Sequence, residues 1–564
     1  MNNHKPCLWN HRHTGGQLQP SFCHVLKYTL VACLVLALLI GCKRVRGAEK
    51  KVPQAGQQAR SEAPVNASKR SSAPALVKVI PTRAEVVSHR GPDIPESKDF
   101  RVWVNGREMF TGQAGDKRWS YSFCAFDFDK PVAVKVEFAK SIKWLDIMPS
   151  VLKIKHNTID DYTFEFTLTE PKKITILINN DRNNALHILT SLPEKERPDP
   201  DDENVLFYKA GKTYDVGVLD LKDNQTLYIE SGAKLKGMIR IRDADNVKIL
   251  GRGMIDGTDN KSRNNNPNSN EPFRLIYMDH SENIKIEGIT LFNSLKWTIH
   301  PYACKKIEVD NINVVNWDYG SDGFDISGCQ NVKVKNSFFR TNDDCIVIKS
   351  LSLADKMYYP NRRIRNPDVK DILVEGCTLW NMAYGNVFDI GFELRCDRIG
   401  DITFRDCDVL MQEGRGAIFS IHNSDNAIVE NVLYDNIRIE NANQIYSHKL
   451  FDVAILFSVW SYDKFTDSKM INKHRYNDAW DNLLPVLPGK EKFHASHRGY
   501  VRGIHFRNIQ ILDGKLPYSV INGYDADHIV ENVTFENISV QGNKITNVKE
   551  LKLFWKYAEN IQFK

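Results

Sequence analysis

Short runs in which apolar and polar residues alternate recur along the chain from about residue 205 onward. A typical run starts with a polar residue and ends in Asn or Gly, as in residues 246–251 (NVKILG), 283–289 (NIKIEGI) and 331–336 (NVKVKN). Alternation with a period of two is typical of β-strands. Strands this short cannot bury a face alone, and they return at intervals of roughly 22 to 40 residues, as the coils of a solenoid do. The pattern predicts an all-β fold with a parallel β-helix over residues 201–564.

Residues 76–200 alternate in a different way. Runs such as 100–106 (FRVWVNG), 132–138 (VAVKVEF) and 162–168 (YTFEFTL) are separated by turn residues and do not repeat one phrase. This pattern predicts a small β-sandwich of short antiparallel strands in front of the β-helix. The sandwich is interpreted as a packing or spacer module, with carbohydrate binding as the alternative. A proline-rich, charged stretch over residues 191–200 ends it.

The N-terminal segment, residues 1–42, has the form of a targeting signal. An apolar run over residues 30–40 follows Lys27 and ends at Gly41 and Cys42. The run is short for a bilayer span and resembles a signal peptide that ends in a bacterial lipobox. We therefore expect an exported cell-envelope lipoprotein, lipidated at Cys42 and held at the outer membrane or cell surface. An ordinary secretory signal, giving a periplasmic or secreted protein, and a single anchor helix are the alternatives.

Composition narrows the class of protein further. Residues 43–75 are rich in Ala, Ser, Lys, Gln and Pro and lack aromatic residues, which predicts a flexible tether. A net charge of +6 over 564 residues gives no reason to expect a nucleic-acid partner, and it does not repel an anionic polysaccharide. The composition gives no indication of the oligomeric state.

The cysteines argue against a disulfide framework. An odd number of them, seven, follows Cys42, and none of these forms a CxxC pair. We expect them to be small buried hydrophobes, and we predict no metal site and no cofactor. They are Cys124, Cys304, Cys329, Cys345, Cys377, Cys396 and Cys407.

Three aspartates are the candidates for chemistry. Asp343 and Asp344 stand 21 and 22 residues after Asp322, about one coil of a β-solenoid, so these carboxylates should lie on adjacent coils. Neighbouring carboxylates suit acid/base cleavage of a glycosidic bond, and their mutual repulsion raises at least one pKa. Adjacent strand residues face opposite sides, so the chain must turn or bulge at Asp343. The plainer interpretation is that β-helix turns favour Asp for local backbone bonding.

Three segments carry a family resemblance. Residues 293–301 (NSLKWTIHP), 321–325 (SDGFD) and 342–350 (NDDCIVIKS) resemble glycoside hydrolase family 28, the polygalacturonase family. The resemblance implies a right-handed parallel β-helix and hydrolysis with inversion. It also implies that Asp344 is the proton donor and that Asp322 and Asp343 activate water. From the same segments we expect His300 and Lys349 to bind substrate.

The chain departs from that family at two places. Residues 384–391 (YGNVFDIG) put Asn386 where the family has the histidine of Gly-His-Gly. Residues 417–422 (AIFSIH) stand where the family has Arg-Ile-Lys, the basic pair that holds a galacturonate carboxylate, and this argues against galacturonate as substrate. A trio of aspartates, Asp322, Asp343 and Asp344, in a β-helix preceded by a β-sandwich is also similar to the dextranase and isopullulanase family. The residues expected to line the cleft instead are Asn386, Glu393, Arg395 and His422.

The sequence therefore predicts a glycoside hydrolase that acts on the O-glycosyl bonds of a polysaccharide or oligosaccharide by single displacement. A β-helix polysaccharide lyase that uses calcium is one alternative, and a non-catalytic surface glycan-binding protein is another. A non-repeating insertion over about residues 455–500 is rich in aromatic residues. It is expected either to recognise substrate or to pack its own rings against the helix.

Overall fold

A parallel β-helix preceded by a β-sandwich accounts for nearly all of the secondary structure, which confirms the predicted fold class. The computed structural model describes residues 86–115, 120–258, 274–351, 366–442, 449–456, 496 and 498–564, and the backbone of the strand Val79–Pro81. The signal segment with Cys42, the tether at 43–75 and most of the insertion at 455–500 lie outside the described residues.

The β-helix forms one 31-stranded sheet that winds through three faces. Face A contains Val205–Tyr208, Thr226–Ile229, Lys248–Gly251, Glu282–Glu287, Lys305–Asp310, Gln330–Lys335, Val369–Glu375, Arg398–Arg405, Ile428–Asn441, Tyr500–Asp513, Val530–Glu536 and Ala558–Phe563. Face B contains Met254–Asp256, Thr290–Phe292, Asn313–Val315, Phe338–Thr341, Thr378–Asn381, Asp408–Gln412 and Ile538–Val540, the last paired with Asn543–Ile545. Face C contains Ile276–Asp279, Ile299–Tyr302, Phe324–Ser327, Ile346–Ser350, Phe388–Leu394, Ala417–Asn423, Lys449–Ile455, Tyr518–Asn522 and Leu553–Lys556. Two long strands, Thr213–Leu221 and Lys234–Arg242, begin the winding and pair with each other.

Alternation along each strand divides the residues between the interior and the outer surface. On face C, Phe324 and Ile346 are paired in register and both belong to the buried apolar core, whereas Asp325 lies between two core residues of its strand. Because successive strand residues point to opposite sides, Asp325 faces outward. The seven cysteines after Cys42 are free and buried, as the sequence predicted.

Asparagines at the corners of the coils explain the phrase that repeats in the sequence. Asn246, Asn283 and Asn331 have φ angles of 59°, 60° and 59°, a left-handed conformation that Asn tolerates better than most residues. Their side chains also stack, since Asn283 Nδ2 donates to Asn246 Oδ1 at 2.7 Å. The polar residue that opens each repeat is therefore a corner residue.

The β-sandwich is built from two larger sheets and one small pair. A five-stranded sheet contains Arg107–Met109, Phe100–Val104, Val132–Phe138, Thr163–Leu168 and His156–Thr158. The second sheet contains Val87–Ser88, Gly112–Gly115, Ser120–Asp127, Leu186–Ser191, Lys173–Ile178 and Leu145–Met148. The small pair is Val79–Pro81 with Glu196–Pro198. The second sheet is buried on both faces, because one face meets the first sheet and the other meets the β-helix.

The sandwich packs on face B of the β-helix. The Phe123 ring lies 5.5 Å from the Phe292 ring, and His187 lies 5.0 Å from Phe338 and 5.8 Å from Trp380. The apolar members of this set, Phe123, Phe292, Phe338 and Trp380, belong to one buried cluster that draws residues from both parts of the chain. Apolar burial across face B therefore fixes the sandwich to the β-helix.

A buried arginine crosses the same interface. The Arg340 guanidinium lies 3.9 Å from the Tyr121 ring centroid and 4.6 Å from that of Trp380. Burial lowers the pKa of Arg340, opposed by nearby Tyr121 and Glu413. Trp380 Nε1 donates to Glu413 Oε1 at 2.7 Å, so the aromatic rings hold a cation on one side and a carboxylate on the other.

Helical structure is nearly absent from the described part of the chain. It holds two 3₁₀ turns, Ser150–Leu152 and Arg182–Asn184. Within the same residues, no helix has the length and apolar character that crossing a bilayer requires.

We expect Trp380→Ala to lower the free energy of unfolding by about 3 to 5 kcal/mol, because it leaves a cavity at a fully buried position and strips a ring from Arg340. Chemical denaturation measures the loss. Trp144→Ala is the matched control, since Trp144 is 45% exposed and its removal should change stability by less than about 0.5 kcal/mol. Equal stability of the two variants would show that the sandwich does not depend on face B.

Candidate active site

The three aspartates meet at the corner between faces B and C. Asp322 lies just before the face C strand Phe324–Ser327, and Asp343 and Asp344 lie just before the next one, Ile346–Ser350. One carboxylate oxygen from each of the three lies within 4.8 Å of the other two. Asp322 and Asp344 are buried and Asp343 is partly buried. Adjacent coils therefore bring together the residues that the spacing predicted.

A turn separates Asp343 and Asp344 from the strands on either side. Strand Phe338–Thr341 ends before them and the next strand begins at Ile346, so this part of the chain departs from strand geometry as expected. Thr341 Oγ1 donates to the Asp343 carbonyl at 2.6 Å, and the Asp344 amide donates to Asp343 Oδ1 at 3.1 Å. These local bonds let consecutive carboxylates serve one site.

The corner of the following coil holds this turn in place. Gly385 has a φ of 69°, and a Cβ there would come 2.3 Å from the Asp344 amide nitrogen and 2.6 Å from Asp343 Oδ1. Any side chain at this position would displace the carboxylates. Asn381 Nδ2 donates to the carbonyls of Asp343 and Tyr384, at 2.7 and 2.8 Å, and joins the two corners.

Asn386 binds Asp344 directly. Its backbone amide and its Nδ2 both donate to Asp344 Oδ1, at 2.7 and 3.1 Å. Its Nδ2 also donates to Asp389 Oδ2 at 3.1 Å, and its Oδ1 accepts from the Ala417 amide at 2.7 Å. Every polar atom of the side chain is engaged, so the amide has one orientation and presents N–H groups to Asp344.

Electrostatics single out Asp343 as the carboxyl that keeps its proton. Burial, followed by the charges of Asp322 and Asp344, raises the pKa of Asp343 well above its ordinary value. Asp344 accepts two N–H bonds from Asn386. The trio therefore combines a carboxyl group that has a raised pKa with one that hydrogen bonds hold in place.

Lys349 lies against two acidic side chains on the outer surface of face C. Its Nζ is 3.7 Å from Asp322 Oδ2, 3.5 Å from Asp325 Oδ1 and 4.2 Å from the Trp297 ring centroid. Burial opposes the charge on Lys349, but Asp325 and Asp322 outweigh it and raise the lysine pKa. Burial, then the charge of Asp322, raises the pKa of Asp325 well above its usual range.

Hydrogen bonds connect Asp322 to the sandwich. The Asp322 carbonyl accepts from the amide and the hydroxyl of Thr298 at 2.8 and 2.7 Å. Asn316 Nδ2 donates to Thr298 Oγ1 at 2.7 Å, and the hydroxyl of Tyr121 donates to the Asn316 carbonyl at 2.8 Å. The sandwich therefore supports the backbone from which Asp322 projects.

Two of the predicted substrate-binding residues lie beside the trio, and three lie further away or deeper. Lys349 and Asn386 contact it, as described above. His300 is fully buried and packs 4.8 Å from the Trp297 ring. His422 Nε2 lies 2.9 Å from Asp452 Oδ2, two face C strands beyond Lys349. Glu393 is buried on the intervening strand Phe388–Leu394, and the contact of each with substrate stays a prediction.

The sequence interpretation missed Asp389 and Trp297 as site residues, and it quoted Asp325 without assigning it a role. Asp325 and Asp389 both follow a core phenylalanine at the start of a face C strand. The alternation of each strand therefore carried a signal for outward carboxylates. Trp297 had no such signal, because its contact with Lys349 depends on the path of a corner.

The trio also has the donors that a divalent cation prefers, since three carboxylate oxygens lie within 4.8 Å of one another. The Lys349 ammonium already lies 3.7 Å from Asp322 Oδ2. A fixed positive charge at that distance opposes cation binding. The raised pKa of Asp343 acts in the same direction, because a protonated carboxyl is a poor ligand.

We expect Asp389→Asn to raise stability at pH 8 and to leave it nearly unchanged at pH 4. Burial, then the charge of Asp344, raises the pKa of Asp389 well above its ordinary value of about 3.9. A carboxyl group whose pKa is higher in the folded than in the unfolded protein stabilises the fold at pH values below its unfolded pKa. This stabilisation is lost as the pH rises through the folded pKa. The gain at pH 8 should be about 1 to 3 kcal/mol in thermal or denaturant unfolding.

Asp435→Asn provides a control of opposite sign. The hydrogen bond from Arg507 lowers the pKa of Asp435, so the ionised carboxylate stabilises the folded protein above the unfolded pKa. At pH 8 the variant should therefore be slightly less stable than the wild type. Parallel stability curves for Asp389→Asn and the wild type between pH 4 and 8 would contradict the raised pKa.

Known proteins resemble this chain in sequence and in fold. The profile of Glycosyl hydrolases family 28 matches residues 215–446, which include the trio and Asn386. An exopolygalacturonase from Zea mays is 28% identical over 173 residues, which is 26% of this chain and 41% of the relative. A polygalacturonase from Gossypium barbadense is 26% identical over 175 residues, which is 28% of this chain and 43% of the relative. The chain therefore spans less than half the length of these curated relatives.

A solved structure shares the whole architecture. Dex49A from Penicillium minioluteum superposes with a TM-score of 0.61 at 13% identity, covering 87% of this chain and 100% of that chain. At this identity the likeness shows the fold alone. The family profile and the curated relatives therefore show that residues 215–446 of this chain are similar to glycosyl hydrolase family 28.

Proposed function

We propose that this protein is a glycoside hydrolase that cleaves a polysaccharide or oligosaccharide by a single displacement with inversion. The observation that carries the proposal is the convergence of Asp322, Asp343 and Asp344 within 4.8 Å on the outer corner of the β-helix. Hydrolysis of a glycosidic bond requires a proton donor for the leaving oxygen and a base for water. One protonated and two ionised carboxyls would meet both requirements without a cofactor.

We assign the proton donor to Asp343, in place of the Asp344 that the resemblance implied. Burial, followed by the charges of Asp322 and Asp344, raises the pKa of Asp343. Asp344 accepts two N–H bonds from Asn386, which hold its carboxyl group where it could take a proton from water. Asp322, which faces Lys349 at 3.7 Å, is the second carboxylate positioned to hold that water.

The stereochemical outcome does not follow from spacing alone. Pairs of carboxyls roughly 5 to 5.5 Å apart are typical of retaining enzymes, and pairs roughly 6.5 to 9.5 Å apart of inverting ones. The oxygens here lie within 4.8 Å, but they belong to three groups and not two. Inversion rests on the shared base, since Asp322 and Asp344 together would hold a water and neither would need to attack the sugar.

Galacturonate is disfavoured as the sugar. Residues 417–422 lack the basic pair expected for gripping a uronate carboxylate. Two cations of the neighbouring coils are already matched by acids, since Lys449 Nζ lies 2.8 Å from Asp452 Oδ2 and Arg395 Nε lies 3.8 Å from Asp425 Oδ1. The similarity to curated polygalacturonases therefore supports hydrolysis of a glycosidic bond more strongly than it supports galacturonate as the substrate.

We also propose export and attachment to the bacterial cell envelope through a lipid at Cys42. The support is the sequence of residues 27–42 and the aromatic-free tether at 43–75, both of which precede the described structure. A polysaccharide substrate outside the cell fits that location.

Replacing the trio residues tests the chemistry. On a glycan found by screening acidic and neutral polysaccharides, Asp322→Asn, Asp343→Asn and Asp344→Asn should each lower kcat by about 10² to 10⁴, because each removes a proton-transfer group. Asp401→Asn on face A is the matched control and should retain activity. NMR should show the inverted anomer as first product. A first product with the retained anomeric configuration would overturn the mechanism. So would unsaturated products that absorb in the ultraviolet and are no longer formed when a chelator is added.

Leaving-group dependence separates the acid from the base. An aryl glycoside with an acidic phenol needs little protonation, so Asp343→Asn should recover most of its activity there, whereas Asp344→Asn should not. Wild-type activity should fall as pH rises through the raised pKa of Asp343, because only the protonated form donates. This alkaline limb should disappear with the aryl substrate. Recovery in Asp344→Asn instead would reverse the assignment.

A further inference from the structure

Two exposed tyrosines lie at the rim of the trio and have no part in the proposed chemistry. Tyr319 is 42% exposed and stands three residues before Asp322. Tyr384 is 36% exposed and stands two residues before Asn386, whose amide binds Asp344. Their ring centroids are 4.9 Å apart at an interplanar angle of 62°. Two exposed aromatic rings in mutual contact form a small surface patch beside a buried charged cluster, and contiguous apolar patches of this kind often mark ligand-binding sites.

The pair spans the coil that carries the proton donor. Tyr319 belongs to the corner before strand Phe324–Ser327, and Tyr384 to the corner before Phe388–Leu394, with Ile346–Ser350 between these strands. Strands two coils apart are separated by about 9.6 Å, twice the usual strand spacing. Ring centroids only 4.9 Å apart therefore require the side chains to lean toward each other over the turn with Asp343 and Asp344.

Hydrogen bonds fix both tyrosine corners to that turn. The Tyr384 carbonyl and the Asp343 carbonyl share the Asn381 side chain as donor, at 2.8 and 2.7 Å. On the other side, Ser321 Oγ donates to the Asp318 carbonyl at 2.6 Å and accepts from the Asn342 amide at 3.4 Å. The backbone segments that carry the two rings are thus held to the turn with the carboxylates, as a subsite next to a reacting bond requires.

The chemistry of this rim suits a sugar without a charge. Aromatic rings bind through their faces and hydroxyls, and they bury large apolar area with little loss of side-chain entropy. Lys349, the cation against the trio, already lies 3.7 Å from Asp322 Oδ2 and 3.5 Å from Asp325 Oδ1. A uronate beside the trio would lose its hydration and meet a lysine that acidic side chains already engage.

We propose that Tyr319 and Tyr384 form an aromatic subsite that stacks on a neutral sugar unit adjacent to the bond cleaved by the trio. The inference rests on the proposed hydrolase function for the identity of the ligand as a glycan. It extends that function by assigning a binding site and by specifying an uncharged sugar at it.

Binding measurements test the subsite separately from turnover. The probes are dextran, carboxyl-reduced polygalacturonan and polygalacturonate, offered at equal ionic strength to Asp343→Asn, which removes turnover. At least one neutral polymer should bind more tightly than polygalacturonate. Adding Tyr319→Ala and Tyr384→Ala should weaken neutral binding by about tenfold, since buried aromatics dominate such contacts. Tyr162→Ala, at a sandwich tyrosine that is 49% exposed, should change it less than about twofold.

Kinetics supply the second readout. In the active protein, the two tyrosine replacements should raise KM by about tenfold and leave kcat within about threefold, because they remove binding and not proton transfer. Tighter binding of polygalacturonate, binding of none of the three polymers, or an unchanged affinity in a variant with the wild-type melting temperature would each overturn the subsite. Binding that follows the prediction in a wild type that hydrolyses no glycan would instead refute the hydrolase proposal and leave the subsite standing.

Discussion

Backbone hydrogen bonding between coils forces the three carboxylates together. The Gly323 amide donates to the Asp344 carbonyl at 2.8 Å, and the Cys345 amide donates to the Asn386 carbonyl at 2.9 Å. These bonds continue the parallel register of face C through its corners, so successive corners are stacked at about the strand spacing. Like charges at that distance repel, yet the interior apolar core and the backbone ladder set the geometry. Burial, followed by this repulsion from Asp322 and Asp344, raises the pKa of Asp343.

The sandwich determines which face of the β-helix stays open. Face B presents Phe292, Phe338 and Trp380, an apolar strip that would be exposed without a partner. Covering it with the sandwich leaves face C as the surface beside the trio. The same contact reaches the site, because Tyr121 at the interface binds the Asn316 carbonyl and Asn316 binds Thr298, which holds the Asp322 backbone. The sandwich therefore both packs against face B and supports the backbone of Asp322.

Period and spacing were sufficient to predict the β-helix and the meeting of Asp322 with Asp343 and Asp344, because a solenoid converts sequence intervals into stacking. They were not sufficient for residues whose role depends on where a corner turns. Tyr319 and Tyr384 lie in different coils with no shared phrase around them, and their contact arises from side chains leaning across a third coil. Nor did spacing distinguish the role of Asp343 from that of Asp344. The two differ in their surroundings, since the N–H groups of Asn386 bind Asp344. The packing of Arg340 against Tyr121 likewise joins two parts of the chain, the β-helix and the sandwich, whose patterns are independent.

Asparagine at position 386 alters how the site handles protons. A histidine there would be a titratable group with a pKa near neutrality, whereas an amide orients its neighbours without taking up a proton. Among the described residues of this region, three carboxyl groups have a raised pKa: Asp343 in the trio, and the buried Asp325 and Asp389 on face C. Lys349 supplies the fixed positive charge that offsets them. Because Asp322 and Asp325 engage that lysine, its positive charge is already matched within the protein.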